Sequence, residues 1–140
     1  MPGSFFDTNV IAYIASADPA KAAKAEQAVG GGGAISVQVL NELTNVARRK
    51  MQMPWTDIHE FLSTLRGLLT VHPVTIEIHE TGLALAGRYN FSTFDAMIAA
   101  SALHAGCDTL WSEDLRHGMV LAEGLRIVNP FRTGADDGKG

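Results

Sequence analysis

Along this 140-residue chain, short apolar runs of strand type alternate with longer segments whose apolar residues recur every three or four positions. No other feature limits the possible folds as tightly. Strands separated by helical crossovers pair in parallel, so the alternation predicts an α/β domain with helices on both faces of a mainly parallel sheet. The strand-type runs fall at 4–6, 34–37, 71–74, 109–111 and 125–128, the last of them stopped by Pro130. After the first run and Asp7, the spacing of Val10, Ile11 and Ile14 predicts a helix. Asp18-Pro19 opens a second helix, with Asp as N-cap and Pro in the first helical position. Four glycines at 30–33 end it as a flexible loop without phosphate-binding spacing.

A third helix is expected from the 34–37 run to about Lys50, and a fourth opens at Pro54-Trp55 with an apolar stripe at Ile58, Phe61, Leu62, Leu65 and Leu69. The segment 76–88 reads as a fifth. Ser92-Thr93 then caps the most apolar helix, 94–105, which Gly106 ends. No repeat or second domain is visible. Residues 1–132 are expected to form one domain, and the small, polar residues 133–140 a flexible tail.

Composition narrows the function classes. Apolar residues make up 46% of the chain, enough for a core, and charged residues only 19%, which argues against a disordered chain. No apolar run approaches the roughly 18 residues that span a bilayer, and the start lacks the basic region of a signal peptide, so a cytoplasmic protein is expected. Cys107 is the single cysteine and reads as a buried, inert thiol. The net charge of −4 argues against nucleic-acid binding through bulk positive charge, although metal ions in an acidic site reverse the local sign. The one basic cluster, Arg48-Arg49-Lys50, suits either a helix C-terminus or an RNA contact.

The acids carry the chemistry. In an open parallel sheet, ligands bind beyond the carboxyl ends of the strands. Asp7 and Asp114 fall just past two such ends, Asp95 opens a helix, and Glu42 lies one turn into another. Glu42 interrupts a stripe formed by Val39, Leu43 and Val46, where a carboxylate is costly unless it is paired or metal-bound. A solvated Glu at the edge of the stripe is the plainer alternative. For Asp95 the plainer alternative is helix capping, since Ser92-Thr93-Phe94-Asp95 resembles a capping box. In Ser112-Glu113-Asp114, alternation along an extended segment places Ser112 and Asp114 on one side and turns Glu113 to solvent, so Asp114 is preferred as the fourth acid. Two carboxylates about 4 Å apart repel by roughly 4 kcal/mol at an effective dielectric of 20, so such a cluster needs protons or divalent cations. Oxygen-only ligands select Mg²⁺ or Mn²⁺. The five histidines and Cys107 lack zinc spacing; of the histidines, only His117 is near a candidate ligand.

Four segments together resemble the ordered motifs of PIN domains: Phe5-Phe6-Asp7-Thr8-Asn9-Val10, the run from Ser36 to Leu43, the run from Phe94 to Ala102, and Leu110-Trp111-Ser112-Glu113-Asp114. The chain is most similar to VapC-type toxins of toxin–antitoxin pairs, from Phe5 to about Pro130. The resemblance implies a three-layer α/β/α sandwich and Mg²⁺- or Mn²⁺-dependent endoribonuclease activity, in which a metal-activated water cleaves RNA. It also implies a homodimer and a neutralising antitoxin protein. By the same resemblance Asp7, Glu42, Asp95 and Asp114 are the catalytic and metal-binding acids, with Asn9 and Ser112 as supporting polar residues. Asn9 also suits capping of the helix after Asp7, and Arg116 suits either the RNA backbone or a solvated surface. The paired acids Glu113-Asp114 depart from the family's frequent single acid. The apolar stripes at 58–69 and 76–85 are expected to offer an amphipathic antitoxin segment a groove, with a basic residue reaching Asp7, Glu42 or Asp95.

Other readings fit less well. A phosphotransfer receiver needs a lysine near its last strands, and none lies between Lys50 and Lys139. A dehalogenase-like phosphatase needs Asp-x-Asp-x-Thr, where this chain has Asp7-Thr8-Asn9-Val10-Ile11. The glycines and lysine near the C-terminus do not have P-loop spacing. A PIN fold that only binds, or another acidic-site phosphohydrolase, remains the alternative.

Overall fold

The computed structural model describes residues 3–132, so the expected tail at 133–140 lies outside the described residues. Five strands form one sheet: β1 (Ser4–Phe6), β2 (Ala34–Ser36), β3 (Thr70–His72), β4 (Thr109–Trp111) and β5 (Arg126–Val128). Their spatial order is β3-β2-β1-β4-β5, and every neighbouring pair is parallel. Six α-helices connect them among the described residues: α1 (Thr8–Ile14), α2 (Pro19–Val29), α3 (Val37–Arg49), α4 (Trp55–Leu68), α5 (Ile76–Tyr89) and α6 (Thr93–His104).

The strand order explains the layering. From β1 to β2 to β3 the chain moves outward in one direction, then jumps back past β1 to β4. Parallel crossovers are right-handed, so a reversal of direction puts the connecting helices on the opposite face. Thus α1, α2, α3 and α4 pack among themselves, while α5 packs on α6. The result is a three-layer α/β/α sandwich. The reversal leaves a crevice between the carboxyl ends of β1 and β4, the usual place for a ligand in such sheets.

Burial accounts for the central elements. Phe5, Phe6, Ile35, Leu110 and Ile127 are fully buried, as expected for strands covered on both faces. In α6 the run from Ala96 to Ser101 continues through Ala102 without an exposed residue, which makes it the innermost helix. Gly82 of α5 makes room for Met97 of α6, since a Cβ there would lie 2.5 Å from the Met97 sulfur. The stripe of α4 is largely consumed by this core, with Ile58 and Leu65 buried, whereas Ile76 and Leu83 of α5 are exposed.

Several element boundaries differ from the sequence expectation for local reasons. β3 stops at His72 instead of reaching Val74, because Pro73 has no N–H to donate to the ladder. Val37 is the first residue of α3 and not the last of β2, since the Ser36 hydroxyl caps the helix by accepting from the Val39 N–H at 3.4 Å. The glycine run is more than a flexible loop at one position. Gly33 has φ 142°, and a Cβ there would stand 2.6 Å from the Ser4 carbonyl oxygen, so only glycine lets β2 lie against β1. Cys107 is half-buried, and burial raises its thiol pKa.

Candidate metal centre

The crevice beyond β1 and β4 opens into a cleft of about 550 Å³ whose walls include Asp7, Glu42, Asp95, Glu113 and Asp114. Asp7 is placed at its floor by the sheet. Its N–H donates to the Trp111 carbonyl at 2.9 Å, prolonging the β1–β4 pairing by one residue. The chain then turns into α1, and Asp7 is that helix's N-cap, with Oδ1 accepting from the Thr8 N–H at 2.7 Å. Asp7 Oδ2 accepts from the Ser112 hydroxyl at 2.8 Å and from Asn9 Nδ2 at 3.3 Å.

Three donors do not offset the position. Asp7 is 5% exposed, and its pKa is raised from 3.8 to about 7, chiefly by burial, with further contributions from the charges of Asp95 and Asp114. Ser112 and Thr8 pull it the other way. Carboxylate oxygens of Asp7, Asp95 and Asp114 all lie within 4.8 Å of one another. The ion pair between Lys21 and Glu113 involves none of the three. Oxygen-only donors at such spacing, one of them a buried carboxyl whose pKa is raised, fit a hard divalent ion such as Mg²⁺ or Mn²⁺.

The three acids reach this point by different routes. Ser92 Oγ caps α6 by accepting from the Asp95 N–H at 3.3 Å, which leaves the Asp95 carboxylate to the cluster. Asp114 follows β4, and its N–H donates to Ser112 Oγ at 3.2 Å. The fully buried Ser112 is therefore a hub, accepting from the amides of Asp114 and Leu115 while donating to Asp7. Glu42 lines the same cleft from α3 but stands apart from the three-acid cluster. Its carboxylate accepts a hydrogen bond from the Thr8 hydroxyl and a second from Gln38 Nε2 at 3.3 Å.

One expectation needs correction. Glu113 does not face solvent; it is half-buried, and its carboxylate accepts from Tyr13 Oη at 2.9 Å and from Lys21 Nζ at 2.8 Å. Alternation fails there because the chain bends at 113–115 instead of continuing as a strand. Asn9 does more than one job at this bend, since its Oδ1 accepts from the Glu113 N–H at 3.0 Å. The basic cluster also divides: Arg48 lies over the Trp55 ring and donates to the Met53 carbonyl, whereas Lys50 lines the cleft. His117 is occupied in packing, its Nδ1 accepting from the Asn129 N–H at 3.0 Å.

Sequence reading does not find Thr8, Tyr13, Lys21 or Gln38. A signal exists only for Thr8 and Gln38: Thr8 adjoins Asp7, and Gln38 precedes Glu42 by one helical turn, the spacing at which side chains meet.

A family model described as PIN domain matches residues 4–120. The chain belongs to the PIN domain family. No curated protein sequence matches it. Solved structures of similar fold include a toxin–antitoxin complex from Klebsiella pneumoniae, 22% identical with TM-score 0.69, where the match covers 93% of this chain and 99% of that one. The VapC20 toxin of Mycobacterium tuberculosis, described as cleaving the sarcin–ricin loop, is 20% identical with TM-score 0.65, over 79% of this chain and 91% of that one. VapBC2 of Rickettsia felis, bound to a DNA fragment from its promoter, is 18% identical with TM-score 0.60, over 79% and 87%. In this PIN domain Asp7, Asp95 and Asp114 meet where the strand order reverses, with Glu42 on the wall of the same cleft. No helix of the described residues is long and apolar enough to cross a membrane.

Proposed function

We propose that this PIN domain is a Mg²⁺- or Mn²⁺-dependent endoribonuclease and the toxin of a toxin–antitoxin pair. The observation that carries the reading is the Asp7–Asp95–Asp114 cluster, three carboxylates within 4.8 Å at the end of the cleft. A bound divalent ion supplies a polarised phosphodiester and a water of lowered pKa. Asp7, Asp95 and Asp114 hold that ion, and Ser112 and Asn9 fix the orientation of Asp7. Glu42, held by Thr8 and Gln38, lines the same cleft from α3 as the fourth acid. Asn45 and Lys50 line the same cleft and would offer donors to phosphate oxygens of the RNA.

The toxin assignment is supported by structural likeness to VapC proteins and toxin–antitoxin complexes. On this reading the partners are RNA, a second copy of the chain and an antitoxin protein, the location is the cytoplasm, and residues 1–132 act as one domain. The decisive experiment is cleavage of RNA by the purified chain with Mn²⁺ or Mg²⁺, with EDTA, and with Asp95→Asn. Cleavage should need the ion and fall at least about a hundredfold in the variant, some 3 kcal/mol of lost transition-state stabilisation. Activity that survives EDTA and the substitution would overturn the reading.

A further inference from the structure

One acid of the cleft is left out of the cluster. Glu113 lines the same cleft as Asp7, Asp95 and Asp114, yet its carboxylate is turned towards α1 and α2. Oε1 accepts from Tyr13 Oη at 2.9 Å, Oε2 accepts from Lys21 Nζ at 2.8 Å, and Lys21 Nζ also donates to Tyr13 Oη at 3.0 Å. These contacts close a triangle. The ammonium is held further by the Tyr13 ring, 4.4 Å from its centroid, and Phe131 packs edge-on against that ring at 4.7 Å. The backbone of Glu113 is fixed as well, through Asn9 Oδ1, and Asn9 Nδ2 returns to Asp7.

The adjacent residue shows what this arrangement does. Asp114 is exposed, and no donor reaches its carboxylate among the described residues, although it completes the three-acid cluster. Buried Ser112 and buried Leu115 fix the chain on either side of the bend. Between them, Glu113 supplies the polar tie from the bend to α1 and α2. An exposed ligand on a turn is only as well placed as its neighbours make it, because orienting groups around a metal site set the geometry of the ligands themselves.

We propose that Tyr13 and Lys21 latch Glu113 and thereby position Asp114 to bind a divalent cation, Glu113 itself acting as a positioning residue and not as a ligand. The inference rests on the metal-dependent reading of the site. It makes a prediction opposite to that of charge alone. Removing the positive charge of Lys21 near an acidic site should strengthen cation binding electrostatically. Removing a latch should weaken it.

The test is a titration of the full chain with Mn²⁺, followed by calorimetry and by the paramagnetic resonance spectrum of the bound ion. Lys21→Met and Tyr13→Phe should each weaken binding about tenfold and broaden the bound spectrum, as loss of groups that orient metal ligands does. Tyr13→Phe alters no charge and keeps the ring against Phe131, so its effect is positional. Lys21→Arg, which can fork onto the Glu113 carboxylate, should restore most of the affinity. Lys24→Met removes a cation from the same helix without touching the triangle, and should leave affinity unchanged or slightly raised. Metal-free melting of each variant establishes that the fold is intact. Binding by Lys21→Met as tight as the unmodified chain, or no loss with Tyr13→Phe, overturns the latch alone. Failure of the unmodified chain to bind Mn²⁺ overturns the metal reading and the latch with it.

Discussion

Asp7 is the residue at which stability and function oppose each other, and Asp7→Asn separates them. In the folded protein without metal its pKa is about 7, against 3.8 for a free side chain. A carboxyl whose folded pKa is raised contributes stability that is present below the unfolded value and lost as pH rises through the folded value. Between pH 5 and pH 8 the unfolded chain is already ionised at this position, while the folded chain changes from protonated to mostly ionised. At 1.36 kcal/mol per pH unit, the unmodified protein loses about 2.5 kcal/mol over that interval through this group. The variant has no proton to lose there. Its new amide nitrogen, however, must face the Ser112 hydroxyl, whose oxygen already accepts from the Asp114 and Leu115 amides. That mismatch costs about 1 kcal/mol at every pH. By pH 5, about 1.2 pH units above the unfolded pKa, the unmodified protein has already lost about 1.6 kcal/mol through this group. The variant should therefore be about 0.6 kcal/mol more stable at pH 5 and about 3 kcal/mol more stable at pH 8, with a crossing near pH 4.5.

Urea denaturation of both proteins in EDTA at a series of pH values measures the difference directly, and titrations common to both chains cancel. A difference that stays constant across the series, or that moves against the variant as pH rises, would refute the burial argument. Mn²⁺ at a hundredfold excess over its dissociation constant should then add about 2.7 kcal/mol to the unmodified protein at pH 8 and much less to the variant.

Three further outcomes follow from other parts of the structure. Ser112→Ala removes the donor to Asp7 and the acceptor for two amides, and should lower RNA cleavage by about ten- to a hundredfold with the fold retained, as read by kcat/KM and melting. Gly33→Ala places a Cβ 2.6 Å from the Ser4 carbonyl oxygen at a φ of 142°, and should cost about 3 kcal/mol or more in urea denaturation. Ser101→Ala should be neutral or stabilising by about 1 kcal/mol, because the Ser101 hydroxyl is buried in α6 without a hydrogen-bond partner; a loss above that size would mean the hydroxyl is satisfied.

Much of the fold is legible in the sequence because its determinants are local. The strand at Ser4–Phe6 ends at a helix-capping Asp, α2 opens at Asp18-Pro19, and α6 opens at Ser92, all signals carried within a few residues. Pro73 likewise marks where β3 ends, although the apolar run continues to Val74 and obscures it. The surroundings of the acids are less legible, since they depend on contacts between residues far apart in the chain. Thr8 meets Glu42 across 34 positions, and Lys21 meets Glu113 across 92. Neither pairing leaves a periodic trace. Strand alternation misplaces Glu113 because it is carried beyond the end of β4, where the bend held by Ser112 and Asn9 has already taken over.

The same bend explains why three acids at one place are compatible with a stable domain. Their exposure is graded: Asp7 is buried, Asp95 is half-buried and Asp114 faces solvent. The electrostatic cost therefore falls mainly on Asp7, which can escape it by binding a proton, while water screens Asp114. On the metal reading this gradient also gives the ion a route. Asp114 would offer the ion its exposed ligand, and Asp95 and Asp7 the progressively more buried ones. Asp7 would have to be ionised to hold the ion, so binding should strengthen as pH rises towards and past 7. An apparent Mn²⁺ affinity that increases severalfold between pH 6 and pH 8 in the unmodified chain is the corresponding expectation, measured by calorimetry in two buffers of different ionisation enthalpy to count the proton released. Tight binding at both pH values without proton release would show that the ion does not reach Asp7 at all, and would place it on the outer acids instead.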